Sequence, residues 1–117
     1  ERMTLFLERI SPQNLVMRLN TGRYSAAELH AMLLNEVRSE YNHNASQQVY
    51  MSEEVWELIK NAKEDLIILI NDAAKELPDD ASSLDLSKKI FEKVINKPVD
   101  PIQHALTELK NEIRQTF

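Results

Sequence analysis

The sequence predicts an all-α protein, a compact bundle of five to six helices, and three observations carry that prediction. Apolar residues recur at i, i+3, i+4 and i+7 over long stretches. Capping serines or aspartates, with prolines, stand between those stretches. Glycine occurs once, at Gly22, too rarely for a hairpin-rich β fold.

The elements follow in order. Met3, Phe6, Leu7 and Ile10 share one helical face, so residues 1–10 read as an amphipathic helix. The pattern is already in phase at residue 3, and the helix is expected to continue upstream. Ser11-Pro12 restarts the chain with a cap and a first-turn proline, and Ile10 is placed to pack on Leu15. This second, short helix should end near Asn20-Thr21-Gly22. Ser25-Ala26-Ala27-Glu28 is a capping box, with Tyr24 and Leu29 as its apolar staple, and opens a third helix running to Asn44. Ser52 caps the fourth, expected over about residues 53–77 and ended by Pro78. Ser82-Ser83-Leu84-Asp85 opens the fifth, which stops before Pro98. Asp100-Pro101-Ile102-Gln103 opens the sixth.

Turning each helix at about 100° per residue assigns its buried face. In the fourth, Val55, Ile59, Ala62, Leu66, Leu69, Ile70, Ala73 and Leu77 form one stripe; Trp56, Ile67 and Ala74 form a second. Two stripes imply two neighbours, so this helix is expected at the centre. The sixth has one stripe, Ile102, Ala105, Leu106, Leu109, Ile113 and Phe117, and should pack on the outside. The fifth is expected to bury Leu84, Phe91, Val94 and Ile95. Leu5, Met17 and Ile68 fall on polar faces and should be exposed.

Composition narrows the function classes. The 117 residues suit one domain, 1–117, read as a fragment of a longer chain. Cysteine is absent, which removes disulfides, thiol nucleophiles and cysteine-ligated zinc. One glycine cannot build a phosphate-cradling loop. The net charge of −5 falls entirely after residue 50, and an acidic chain is a poor nucleic-acid binder. A helix-turn-helix over Pro12 to Asn42 is equally disfavoured. Its recognition helix would open Ala26-Ala27-Glu28-Leu29-His30, with nothing to grip phosphate. The longest apolar run, Leu66 to Ile70, is far too short to span a bilayer.

Two constellations hold polar groups that chemistry could use. Glu36, Glu40 and His43 stand at i, i+4 and i+7, and Glu40 to His43 has the Glu-x-x-His spacing of di-iron carboxylate bundles. They are the only metal-ligand candidates, and weak ones. A second set is needed, yet His104 and Glu108 turn away from the apolar stripe of the sixth helix. Glu36 and Glu40 are therefore read as partners of Arg18 or Arg23, or as reaching past the core edge to water, and neither metal nor cofactor is expected. The second constellation is the polar run Tyr41, His43, Asn44, Gln47, Gln48 and Tyr50 around the longest connector, Ala45 to Met51. These groups could fix a polar ligand or peptide backbone. The structural alternative has Asn44 closing the helix in a left-handed conformation, the glutamines bonding chain ends, and Tyr50 covering apolar helix ends. Serines are accounted for as caps, and His30 as a partly buried polar residue rather than a base.

Several local stretches resemble a bacterial family without an assigned activity. They are Arg9-Ile10-Ser11-Pro12 with Asn14-Leu15, Glu40-Tyr41, His43-Asn44, Ser46-Gln47-Gln48, and Trp56 through Glu64. The resemblance covers about residues 1–75. It implies a short N-terminal transmembrane helix, a linker, and then a cytosolic helical domain tethered to the inner membrane.

The resulting expectation is an interaction or scaffolding domain whose partner is another protein or a second copy of the chain. Nucleic acid is not expected, and membrane contact only through an upstream segment. The runner-up is a small-ligand or metal-dependent enzyme centred on Glu36, Glu40, His43 and the connector 44–50.

Overall fold

The four longer helices start where a side chain meets backbone N–H groups that have no partner within the helix. The computed structural model describes residues 2–20 and 22–116, with all their side chains except those of Arg2, Gln47 and Thr116. Over these residues the helices are α1 (Arg2–Ile10), α2 (Pro12–Leu19), α3 (Ala26–Asn44), α4 (Glu53–Lys75), α5 (Ser83–Asn96) and α6 (Pro101–Thr116). Both capping boxes form: Ser25 with Glu28, and Ser82 with Asp85. Ser52 Oγ accepts from Val55 N–H, and Asp100 Oδ1 accepts from the N–H groups of Ile102 and Gln103.

Three local expectations are corrected. Ser11 stands at the start of α2 but makes no cap bond there. Its hydroxyl, with the Asn14 amide, instead donates to the Glu8 carbonyl at the end of α1. Helix α4 runs to Lys75, close to the expected end, and Leu77 N–H then closes a tighter turn to Ala74 O. The connector 45–50 is a 3₁₀ helix rather than a loop. Asn44 has φ −103° and ψ 1°, so the chain passes from α to 3₁₀ with no left-handed residue. Gly22 alone among the described residues has positive φ, at 82°. Its N–H bonds Asn20 Oδ1 in the turn after α2.

The core forms around two helices. All but Leu77 of the first α4 stripe is buried, as are Trp56 and Ile67 of the second, and α4 packs on α3, α5 and α6. Helix α3 is equally enclosed: Leu29, Leu33 and Val37 are buried, and its neighbours are α1, α2, α4 and α5. The centre is thus an α3–α4 pair. His30 meets Asn71 toward one end and Tyr41 stacks on Trp56 toward the other, so the two run antiparallel. Helix α6 lies outside, with Ile102, Ala105, Leu106 and Leu109 buried on α4 and α1. Phe117 lies outside the described residues. The extents, 50 × 28 × 18 Å, describe a flattened body about two helices thick.

Helix α5 is turned differently from its apolar pattern. Its buried residues are Ser83, Leu86, Ser87 and Ile90; Leu84 and Ile95 are 54% and 80% exposed, and Phe91 and Val94 only half-buried. Tertiary bonds set the rotation. Ser83 N–H donates to Tyr24 O and Ala26 N–H to Ala81 O, an isolated antiparallel bridge between Ser25 and Ser82. Asn20 Nδ2 donates to Ser87 Oγ, which donates to Ser83 O. Lys89 and Lys93 reach Glu76, just past the end of α4. Leu86 and Ile90 are thus buried beside Ser83 and Ser87, while Leu84 and Ile95 turn outward.

Candidate functional site

Helix α3 delivers Glu36 and Glu40 to the seam where α1 and α2 cross it. Arg9 of α1 holds Glu40 through Nε at 3.0 Å and Nη2 at 2.8 Å, and lies 3.8 Å from Glu36. Arg18 of α2 pairs with Glu36 and also donates to the Arg9 carbonyl. Both carboxylates are thus engaged by guanidinium groups that tie three helices together. The expected partner Arg18 is found. Arg23 is exposed, and Arg9 takes its place. His43 is exposed one turn beyond Glu40. Among the described residues, no group of three His, Asp or Glu side chains is placed to hold a metal ion.

The polar run divides rather than converges. Tyr41 turns inward. Its ring stacks on Trp56 at 5.5 Å, lies 6.1 Å from Phe6, and carries Lys63 Nζ at 4.2 Å from its centroid. Burial, then the nearby charges of Glu64 and Glu57, raises the Tyr41 phenol above its ordinary pKa. Asn44, 6% exposed, donates its amide to the Glu40 carbonyl at 2.8 Å. Gln48 and Tyr50 face solvent, and Tyr50 at 80% exposure does not cover the apolar helix ends as expected. Val49 beside it on the same 3₁₀ helix is equally exposed, at 79%. The side chain of Gln47 lies outside the described part. His43, Asn44 and Glu40 do border one shallow depression, with Leu5, Phe6 and Arg9. His104, Glu108 and Glu112 make no second set: Glu112 instead accepts from Ser52 N–H, joining α6 to the start of α4.

Two surface features were not foreseen. One is a groove along α4 beneath the Pro98–Pro101 connector, bordered by Leu58, Ala62, Asp65, Lys97 and Val99. A cavity of about 30 Å³ under it has space for a water molecule but not for a metabolite. The two closely spaced prolines were the available signal, since each fixes its own φ and lacks the N–H that a helix would need. The other is the exposed face of α5. Its residues were visible in the sequence, but their apolar spacing argued for burial.

Fold and site together define an all-helical bundle whose central polar groups join helices to one another. The chain belongs to a family of unknown function, DUF7935, whose sequence profile matches residues 1–116. That match runs past residue 75 and takes in α5 and α6. No curated protein and no solved structure matches the chain.

Proposed function

We propose that this domain is a protein-interaction module that docks through α5. The observation that carries the reading is the stripe of Leu84, Phe91 and Ile95. At about 100° per residue these three fall within about 40° of one another; Leu84 and Ile95 are exposed, and Phe91 between them is half-buried against the core. Single exposed apolar residues are ordinary, but two on one helical line, joined by the partly exposed Phe91 ring, form a contact surface. Lys88 and Glu92, both exposed, rim it on one flank, as charged groups rim protein interfaces. Glu36 and Glu40, which an enzyme reading needs, are already engaged by arginine.

The interaction reading extends to scaffolding at the cytosolic side of a bacterial membrane. The resemblance over residues 1–75 supports that setting. No helix among the described residues is long and apolar enough to cross a membrane, so a tether would have to be supplied by other parts of a longer chain. Fractionation of the full-length protein tests the tether.

A photo-crosslinking residue at position 95, in the native host, tests the docking surface against the same residue at exposed Arg38. Specific adducts at 95 that vanish with Leu84→Glu support the reading. Equal labelling at 95 and 38 sinks it.

A further inference from the structure

We infer that the occupant of the α5 stripe is a second copy of this chain, seated antiparallel, helix α5 against helix α5. This rests on the docking role of α5 proposed above and specifies the partner. The argument is charge register. Relative to the centre of the Leu84–Phe91–Ile95 stripe, Lys88 and Glu92 lie on the same flank, one turn apart. In an antiparallel helix pair each flank faces the same flank of its partner, whereas in a parallel pair it faces the opposite one. A twofold axis near residue 90 therefore sets Lys88 of each copy against Glu92 of the other. The same register brings Leu84 opposite Ile95 at both ends and the two Phe91 rings together near the axis. Apolar and charged positions are satisfied at once by a single isologous arrangement.

The flank is available for this pairing. Glu92 lies 3.7 Å from the neighbouring Lys89, and its side chain stays 63% exposed. Lys88 is exposed, Lys89 is shared between Glu92 and Glu76, and Lys93 pairs with Glu76. Other surfaces offer less. The groove beneath the Pro98–Pro101 connector carries charges of both signs, Asp65 and Lys97, and so favours no one partner. The Arg9–Glu40 cluster is internally neutralised.

One helix pair buries less than the ~800 Å² that each partner gives to a standard interface. The dimer is accordingly weak, with a dissociation constant on the order of 100 μM.

Sedimentation velocity on the purified chain, from about 10 μM to about 1 mM, reads this directly. The expected result is a monomer shifting to a dimer with concentration. Ile95→Glu should abolish the shift. Lys88→Glu and Glu92→Lys should each weaken it about tenfold, and the double exchange should restore it. All these positions are exposed, and circular dichroism checks that each variant folds. A monomer throughout the range overturns the self-pairing, as does failure of the double exchange to recover dimerisation. If the protein is monomeric while the position-95 adduct contains a different chain, the self-pairing is overturned and the docking role stands. If neither dimer nor specific adduct forms, both are lost.

Discussion

Ser25 and Ser82 cap two different helices and also pair with each other. Their neighbours exchange two backbone hydrogen bonds, Ala26 N–H to Ala81 O and Ser83 N–H to Tyr24 O, both 2.9 Å. The starts of α3 and α5 are thereby fixed side by side, and the rotation of α5 follows from that junction. Proline is normally welcome at the first position of a helix because its missing N–H has no helical partner. At Ala26 that N–H does have a partner. Ala26→Pro should cost ~1–3 kcal/mol in denaturant melts by stranding the Ala81 carbonyl. The same change at Glu53, the first residue of α4, breaks no bridge and should stay within ~0.5 kcal/mol.

Core depth gives a second test. Leu66 is buried in the main stripe of α4, whereas Ile113 near the end of α6 is only partly buried. Leu66→Ala should cost ~2–5 kcal/mol, and Ile113→Ala clearly less, because a side chain at the edge leaves a space that water can fill. Equal losses in chemical denaturation would contradict a central α4.

The Arg9–Glu40 pair should be a modest strut. Its side chains are 41% and 18% exposed, so solvent screens much of the attraction. A double-mutant cycle with Arg9→Gln and Glu40→Gln should give a coupling of ~0.5–1 kcal/mol. A coupling near zero would remove the structural role assigned to Glu40.

Within the polar connector, stability should depend on Asn44 and not on Tyr50. Asn44→Ala removes the buried amide that serves the Glu40 carbonyl and should cost ~1–2 kcal/mol. Tyr50→Ala should stay within ~0.5 kcal/mol. Thermal melts of the two variants side by side decide the matter.

The Glu76–Lys93 pair between α4 and α5 predicts a pH dependence. The Lys93 hydrogen bond holds the Glu76 carboxyl below its ordinary range, and Glu76 in turn raises the Lys93 ammonium. The Glu76 contribution is full above the unfolded glutamate value, about 4.3, and disappears as pH falls through the lowered one. The Lys93 contribution is full below about 10.4 and disappears as pH rises through the raised value. Both groups lie at the surface, so the effect is small. The melting-temperature difference between wild type and Glu76→Gln should stay level over about pH 6–9 and shrink toward about pH 3.

Most of the architecture was legible in the chain because its determinants are local. Helix starts depend on a side chain two or three residues from the N–H it serves, so Ser25, Ser52, Ser82 and Asp100 announced α3, α4, α5 and α6. The long stripes of α4 and α6 repeat often enough to fix their own buried faces. That Glu36 and Glu40 would meet either a cation or water was also readable, since burying an unpaired carboxylate is costly. Which cations answered was decided by the crossing of α1 and α2 over α3, which brought in Arg9 in place of Arg23.

The chain pattern by itself determined the helices, the caps of α3 to α6, and the outer position of α6. Only the tertiary structure decided the α3–α4 centre, the separation of Tyr41 and Asn44 from the exposed Tyr50, and the face that α5 presents. Helix α5 shows the reason. Its apolar spacing sought burial for Leu84 and Ile95, but the backbone bridge at Ser25 and Ser82, the Asn20–Ser87 bond and the Glu76 ion pairs act together from three other segments. Periodicity measures the preference of one helix alone. The rotation it adopts minimises the free energy of every helix it touches, and those contacts join residues that the linear pattern never sets beside each other.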